Sequence, residues 1–471
     1  MPFNRVISAG IIAFAVTACG SSSSTSTQTD PSGEGSGTLP DDRDSAKLGC
    51  GWVLQSDPTI LNVAFPDASA TYWVAVVPNV PGTRLRIDGQ YPDARYFSFN
   101  AYDPALRPID GIADARIAPD AGSGNPFSDE GATSGRHYSL TVEFGKKPEV
   151  PAQNTLYSGS IMVNGALALP NPVTVLLYRI YIPASGLPLN ADVPLPALTL
   201  ETAAGDVLVP SRAGCSEPVL GTVVNQLAQV DINGALLRVD YPDQLSFVPL
   251  RFPTATYPPV TGVFYGLPNT LLQILNHASP VELPGVLQGT ELLSGGGFLS
   301  NSDAAYSTSA FSRSDGNIFI LRARAPSWRG AIGVPFGSED MRYWSVCENE
   351  FATQRYVACS ADEDTMIDSL GFFTVVVSDA ADRPINAVRT NDITWLPWGS
   401  YPDGLLLYRH LLPNPAFAQA IQNVPYGSDP DAVMGDYFPQ VAYCTRATAE
   451  AAGSQARDVF NACLSETLSR R

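Results

Sequence analysis

Short apolar and aromatic runs, separated by Gly, Pro, Asp and Asn, follow one another along most of the chain. Arg84-Leu85-Arg86-Ile87 alternates polar and apolar positions, which is the period of a β-strand with one face in solvent. The other runs are rich in β-branched and aromatic residues, as strands are. We predict strands over Thr71–Val77, Arg84–Ile87, Tyr96–Ala101, His137–Glu143, Val173–Ile182, Ile318–Leu321, Gly371–Ser378 and Gly404–Tyr408.

Helical patterns are few, so the chain is predicted to be mainly β. A helix over Asn414–Ile421 has a capping residue followed by proline at the first helical position. A second helix over 269–277 places three leucines on one face, and a third covers Thr448–Leu468 with Gly453 as a weak point. Closely spaced strands with few helices indicate two tandem β-sandwich or jelly-roll-like units with a few short helices.

Four landmarks occur twice in the same order, and this repetition is the reason for predicting two units. Each copy opens with Tyr, Gly and Pro spaced Y-x9-G-x9-P, continues with Arg-Tyr-aromatic-Ser and a β-like run, and ends with Leu-Leu-Tyr-Arg before a proline. We infer copies over 66–200 and 300–440. The landmarks are Tyr72, Gly82, Pro92, Arg95–Ser98 and Leu176–Pro183 in the first, and Tyr306, Gly316, Pro326, Arg342–Ser345 and Leu406–Pro413 in the second.

The N terminus has the features of an export signal. Arg5 precedes the apolar run Val6–Val16, which is too short to span a bilayer as a helix. The sequence Val16-Thr17-Ala18-Cys19-Gly20 resembles the lipobox of bacterial lipoproteins, with valine where that family usually has leucine. The resemblance implies cleavage before Cys19 and lipidation of its thiol. Because no aspartate follows the cysteine, it also favours the outer membrane if the cell is Gram-negative. An ordinary secretory signal with an incidental cysteine is the alternative.

These features divide the chain into five predicted segments and place it outside the cytoplasm. The residues after Cys19 are rich in Ser, Thr, Gly, Asp and Pro and cannot bury enough apolar surface to fold. We expect an exported protein held to the membrane of the bacterial cell envelope by its N-terminal lipid. The segments are a signal peptide over 1–18, a lipidated cysteine and disordered tether over 19–46, a first β-rich unit over 47–214, a connecting segment over 215–299 and a second β-rich unit with a C-terminal helix over 300–471.

Six cysteines remain after Cys19, and an even number in an exported protein suggests disulfide bonds. Six cysteines allow 15 pairings. Proximity in sequence favours Cys347–Cys359 and Cys444–Cys463, which leaves Cys50–Cys215. The chain has no C-x-x-C motif, so a redox motif or a zinc ribbon is not expected.

Composition removes several classes of function. The formal net charge of −18 is incompatible with binding nucleic acid by phosphate neutralisation. Three histidines cannot supply both a multi-histidine metal centre and a catalytic histidine, so we expect no metal and no cofactor. Common hydrolase and nucleotide-binding motifs are missing. A hydrolase using carboxylates or His410 stays as an alternative. The acidic segments Asp362–Asp364 and Asp120–Glu130 could bind calcium, although solvated loops are the usual explanation.

The repeated polar residues are the first candidates for a ligand site. Two related copies could place arginines, whose guanidinium fork suits carboxylates, across a pseudo-twofold cleft. A structural role is the favoured interpretation, with Asp103 and Asp340 as expected partners of the arginines. An aromatic turn in the second copy could stack on sugars or cover the fold. The candidate ligand-binding residues are Arg95, Arg342, Arg179, Arg409, Tyr178, Tyr408, Trp395 and Trp398.

The segment Asn301–Ser307, together with the later Arg-Tyr-aromatic-Ser, resembles exported bacterial proteins of unknown function that carry N-x-D-x-x-Y-S before a β-sandwich. The first copy departs from that pattern, because Asp67 stands five residues before Tyr72 instead of three. The resemblance implies the fold and no activity. We therefore expect a lipid-anchored envelope protein that binds a small molecule, a glycan or an envelope component, with an extracytoplasmic hydrolase or a purely structural scaffold as alternatives.

Overall fold

The computed structural model describes residues 51–57, 62, 65–104, 107–129, 132, 135–163, 167–208, 257–265, 301–330, 335, 337–350 and 355–470. Strands far outnumber helices in these residues, which confirms the predicted mainly β class. The predicted helix over 269–277 and residues Cys19, Cys50 and Cys215 lie outside the described residues.

The first half of the chain forms one pair of five-stranded sheets and a small hairpin. Its described strands are β1 (Trp52–Ser56), β2 (Ala70–Pro78), β3 (Arg84–Gln90), β4 (Ala94–Tyr102), β5 (Pro108–Ala113), β6 (His137–Glu143), β7 (Thr155–Tyr157), β8 (Ser160–Val163), β9 (Leu167–Pro170), β10 (Val173–Pro183), β11 (Ala197–Thr202) and β12 (Gly205–Leu208). The strand orders are β1-β2-β10-β4-β5 and β12-β11-β3-β6-β7, and β8 pairs with β9.

The second half forms a second pair of sheets. Its described strands are β13 (Thr261–Phe264), β14 (Ala304–Ser312), β15 (Ile318–Arg324), β16 (Met341–Glu350), β17 (Tyr356–Ala361), β18 (Phe372–Ser378), β19 (Ile393–Pro397), β20 (Asp403–Pro413) and β21 (Gln440–Cys444). The strand orders are β13-β14-β20-β16-β17 and β19-β18-β15-β21. The strands predicted from the apolar runs lie within observed strands or extend them by a few residues.

The two sheet pairs have matching strand orders and matching registers. Arg179 stands opposite Tyr72 and Ser98 in the first pair, and Arg409 stands opposite Tyr306 and Ser345 in the second. In both pairs one edge of the second sheet is a parallel pair of strands, β6 with β7 and β18 with β19. The paired sheets are therefore compatible with two repeated β-rich units, which we call the first and second units.

Each central strand is buried on both faces. Along β10, Leu176, Tyr178 and Ile180 enter the core between the two sheets of the first unit. Arg179 and Tyr181 lie on the opposite face because side chains alternate along a strand. That face is covered by the second unit. One shared cluster contains Tyr96 and Tyr181 of the first unit together with Tyr306, Tyr343, Leu407 and Leu411 of the second.

Helices cover one side of the second unit. They are α1 (Pro430–Met434), α2 (Arg446–Ala451) and α3 (Ala456–Ser469). The predicted helix over Thr448–Leu468 is thus two helices, interrupted where Gly453 adopts a left-handed φ of 84°. Thr445 caps α2 by accepting a hydrogen bond from the backbone N–H of Thr448.

The helix predicted over Asn414–Ile421 is wrong. Asn414 Oδ1 accepts a hydrogen bond from the N–H of Ala416, and this local turn competes with a helix. The backbone N–H of Asn414 donates to the carbonyl of Asp340, and its side-chain amide donates to that of Glu339, so a distant loop fixes this turn. A single 3-10 turn, Ile421–Asn423, follows.

No helix in the described part of the chain is both long enough and apolar enough to cross a bilayer.

Gly404 in β20 lies where the second unit is tightly packed. A Cβ at Gly404 would lie 2.3 Å from the Phe311 ring and 2.6 Å from Glu348 Oε1, whereas a Cβ at Gly262 in the same sheet meets nothing within 4 Å. We expect Gly404→Ala to lower the free energy of unfolding by about 1–3 kcal/mol and Gly262→Ala to change it by less than about 0.5 kcal/mol. Denaturant unfolding of both variants measures this, and equal effects would contradict the packing described.

Candidate functional site

The four repeated arginines lie at the contact between the two units and are almost fully buried. Arg95 and Arg179 are 1% exposed, Arg409 is 3% exposed and Arg342 is 6% exposed. Removing a guanidinium from water costs several kcal/mol unless acceptors replace the lost hydration. The acceptors around each arginine therefore decide what it does.

Arg95 pairs with two carboxylates of the second unit. Its Nη1 donates to Asp362 Oδ1 at 2.5 Å and its Nη2 donates to Glu363 Oε2 at 2.6 Å. Asp362 follows β17 and also accepts the backbone N–H groups of Trp344 and Glu363. The segment considered for calcium thus supplies the partners of an arginine from the other unit.

Arg342 occupies the reciprocal position. Its Nη1 lies 3.7 Å from Asp114 Oδ2 and donates to the carbonyl oxygen of Arg95 at 3.1 Å. Asp114 follows β5 and accepts the backbone N–H groups of Phe97 and Ala115. In each unit, therefore, an aspartate fixed by two backbone N–H donors faces an arginine of the other unit.

Arg409 forms an ion pair with Asp67, which precedes β2 of the first unit. Asp67 also accepts from the Tyr343 hydroxyl at 2.9 and 3.0 Å and from the Ser345 hydroxyl at 2.8 Å. The Arg409 guanidinium carbon lies 5.1 Å from the centroid of the Tyr306 ring. Asp67 is 0% exposed, so a single buried carboxylate accepts from three side chains of the second unit.

The pseudo-equivalent surroundings of Arg179 differ. Its Nη2 donates to the Tyr102 hydroxyl at 2.5 Å, and its guanidinium carbon lies 5.6 Å from the centroids of both the Tyr72 and Tyr102 rings. Asn301 stands five residues before Tyr306, where the first unit has Asp67 before Tyr72. Asn301 accepts from the Tyr96 hydroxyl at 3.2 Å, so it also joins the two units.

Burial changes the protonation of two of these carboxylates. Loss of hydration raises the pKa of Asp114 to about 6, against the opposing effects of Arg342 and two backbone donors. Loss of hydration also raises the pKa of Asp362 to about 6, although Arg95 and two backbone N–H groups favour its charged form. Both aspartates therefore change charge just below neutral pH.

The remaining candidate ligand residues pack against, or donate hydrogen bonds to, other residues of the chain. Tyr178 packs on Trp73 and Phe99 in the first core, and Tyr408 packs on Phe373 in the second. Trp398 is 1% exposed, packs edge-on against Phe311 and donates its indole N–H to the Pro402 carbonyl. Trp395 is partly exposed, donates its indole N–H to Ser378 Oγ and lies under Arg383, with 4.6 Å from guanidinium carbon to ring centroid.

His410 is placed unfavourably for catalysis. It is 0% exposed and its Nδ1 accepts the backbone N–H of Ile421 at 3.2 Å. Burial lowers the pKa of His410 to about 3, so the imidazole is neutral at physiological pH. Its nearest ring contact is Tyr408 at 4.7 Å between centroids, and this position in the core gives a substrate no access to it.

Two disulfide bonds join the pairs that proximity in sequence favoured. Cys347–Cys359 links β16 to β17, and Cys444–Cys463 links β21 to α3. Disulfides of this kind indicate an oxidising, extracytoplasmic location. Cys50 and Cys215 lie outside the described residues, so their pairing stays a prediction.

Sequence reasoning found the arginines but expected the wrong partners for them. Asp103 pairs with Arg107 in its own hairpin, and Asp340 accepts from Ser327. The partners are Asp67, Asp114, Asp362 and Glu363. A signal for two of them exists, because Asp114 and Asp362 follow Arg95 and Arg342 at nearly the same distance in the two copies.

The raised pKa values of Asp114 and Asp362 predict a pH dependence of stability. An aspartate in an unfolded chain titrates near about pH 4, so the folded protein retains protons that the unfolded chain has released between about pH 4 and pH 6. These two groups therefore make the free energy of unfolding fall as the pH rises through that window. We expect Asp114→Asn/Asp362→Asn to lose this contribution, about 1.4 kcal/mol for each pKa unit.

Thermal unfolding of the wild type and the double variant over this pH range measures the difference. A wild type that gains stability relative to the variant as the pH rises would show that the two pKa values are depressed instead.

Arg409→Leu tests the buried pair with Asp67. The substitution leaves the carboxylate buried without its cation, and we expect the free energy of unfolding to fall by about 3–5 kcal/mol. Arg446, whose side chain is 46% exposed and paired with Glu450, is the control. Arg446→Ala should cost less than about 1 kcal/mol because exposed pairs contribute little. Comparable losses in denaturant unfolding would contradict a special role for Arg409.

Comparisons with known proteins give structural similarities with low TM-scores. No family model matches the chain, and no curated protein is similar to it. An uncharacterized protein from Burkholderia cenocepacia is similar with a TM-score of 0.43 and 11% identity, over 86% of each chain. The VPA0106 protein from Vibrio parahaemolyticus is similar with a TM-score of 0.36 and 15% identity, over 82% of this chain and 92% of that one. Both similar structures come from bacteria, and neither similarity indicates a function.

Proposed function

We propose that the protein is a lipid-anchored component of the bacterial cell envelope that serves as a structural scaffold. The oxidising location indicated by the two disulfides supports export. The anchor is inferred from the lipobox-like sequence around Cys19, with the segment 19–46 as a tether between the membrane and the β-rich units. In this proposal the lipid supplies the contact with the membrane.

The observation that carries the scaffold role is the engagement of repeated arginines with carboxylates across the two units. Arg95 reaches Asp362, Arg342 faces Asp114 and Arg409 pairs with Asp67. Each bond joins one unit to the other, so separating the units would leave charges of both signs without partners. Such a contact favours a single rigid body over two units that open around a ligand.

Binding of a glycan at the aromatic turn is the second candidate. Seven of the eight candidate ligand residues are no more than 6% exposed, and Trp395 is the partly exposed one. An indole face at a surface can stack on a sugar ring. Arg383 covers one face of Trp395, however, and the ring would need its other face free. For the hydrolase alternative, His410 offers no support, because it is enclosed in the core.

Complementation in a bacterial host that lacks the protein separates the two roles. We expect Cys19→Ser to release the protein from the membrane fraction and to lose complementation of envelope integrity, measured as detergent sensitivity. Arg409→Leu should also lose it, because the contact between units is weakened. Trp395→Ala and the control Arg446→Ala should both retain it.

Loss of complementation by Trp395→Ala, with the variant present at normal protein levels, would favour glycan binding. Full complementation by Arg409→Leu at its reduced stability would contradict the scaffold role.

A further inference from the structure

The Cys347–Cys359 disulfide joins a buried residue to a partly exposed one. The two residues stand directly opposite each other on β16 and β17. Strand β17 is at the edge of its sheet, whereas β16 is flanked by β20 and β17. Cys347 is 1% exposed, and Cys359 is partly exposed. A thiol arriving from solvent therefore has its approach to this disulfide on the Cys359 side, at the edge strand.

The same disulfide borders the ion pair between the units. The sulfur atoms of Cys347 and Cys359 and a carboxylate oxygen of Asp67 all lie within 4.8 Å of one another. Cys347 Sγ is 3.9 Å from Ser345 Oγ, which donates to Asp67 and accepts from Arg409 Nη1 at 3.4 Å. These sulfurs are therefore neighbours of the Asp67–Arg409 pair.

The second disulfide provides an internal comparison. Cys444 is 2% exposed and Cys463 is 0% exposed, and both belong to the cluster between α3 and its sheet. Neither sulfur of Cys444–Cys463 is accessible to a thiol while the protein stays folded. Thiol–disulfide exchange needs access to one sulfur. The two disulfides should therefore differ in their rate of reduction by thiols.

We propose that Cys359 is a site of thiol–disulfide exchange with low-molecular-weight thiols, and that its exchange loosens the contact between the units. A thiolate attacks Cys359 Sγ, a new S–S bond forms between the thiol and Cys359, and the Cys347–Cys359 bond breaks. The electron pair stays on Cys347 Sγ, which binds a proton or remains a thiolate. A second thiol then displaces Cys359 from the mixed disulfide, so both cysteines are reduced and two thiols are oxidised to one disulfide.

The liberated Cys347 sulfur would lie beside groups that already interact with each other. As a thiolate it would compete with Asp67 for the Arg409 guanidinium and for the Ser345 hydroxyl. As a thiol it would no longer hold β17 against β16. Whether the liberated sulfur is a thiol or a thiolate, the contact between the units is weaker in the reduced form than in the oxidised form. The redox state of this pair is therefore coupled to the contact between units.

Graded reduced glutathione under native conditions, followed by alkylation and peptide mapping, tests the exchange on the wild-type protein. We expect Cys347–Cys359 to be reduced at least about tenfold faster than Cys444–Cys463. In Cys347→Ser, oxidised glutathione should form a mixed disulfide with the free Cys359 thiol and release one molecule of reduced glutathione. In the matched variant Cys359→Ser, the buried Cys347 should remain without an adduct under the same conditions. Equal reduction rates, or an adduct on Cys347 in place of Cys359, would overturn the proposal.

Hydrogen exchange tests the coupling. Selective reduction of Cys347–Cys359 should speed amide exchange over residues 65–72, which include Asp67, relative to the oxidised protein. Cys444→Ser/Cys463→Ser is the control, because loss of that disulfide removes no bond near Asp67. Unchanged exchange over 65–72 after complete reduction of Cys347–Cys359 would show that the disulfide and the contact are independent. The wild-type measurements need no substitution, so they test the proposal even if a variant fails to fold.

Discussion

The need to neutralise buried charge at the contact between the two units is the constraint on which the rest of the structure depends. Arg95, Arg342 and Arg409 each reach a carboxylate of the other unit, and those carboxylates are themselves almost fully buried. Buried ion pairs add little net stability compared with apolar contacts, but breaking one is expensive. The pairs therefore specify how the units meet, while the apolar clusters supply most of the favourable free energy.

This constraint explains the unusual composition of the central strands. An ordinary sandwich strand buries one face and exposes the other to solvent, so polar residues on alternate positions would face solvent. In β10 and β20 the alternate positions hold Arg179, Tyr181 and Arg409, and these are buried too. Tyrosine and arginine suit such a face, because each combines a large packing surface with donors that can reach a partner.

Local chemistry in the sequence was sufficient for eight of the strands but not for the contacts between them. Alternation and turn residues predict the strand positions, and the repeated landmarks correctly identify Arg179 and Arg409 as equivalent. The partner of Arg409 could not be predicted, since Asp67 is 342 residues away and nothing local links the two. The wrong helix at Asn414 has the same origin, because a distant loop holds that residue in a turn.

Two departures from the repeat lie at the contact between the units. Asn100 and Cys347 both stand two residues beyond the serine opposite the arginine, facing Leu177 and Leu407, so they occupy equivalent positions. Asn100 accepts a hydrogen bond from Ser302 across the contact, whereas Cys347 is joined to Cys359 beside Asp67. Folding requirements alone would be met by the same residues in both copies. The carboxylate and the disulfide that distinguish the two sides are therefore the features in which a property specific to this protein is expected, and both lie on the Arg409 side of the contact.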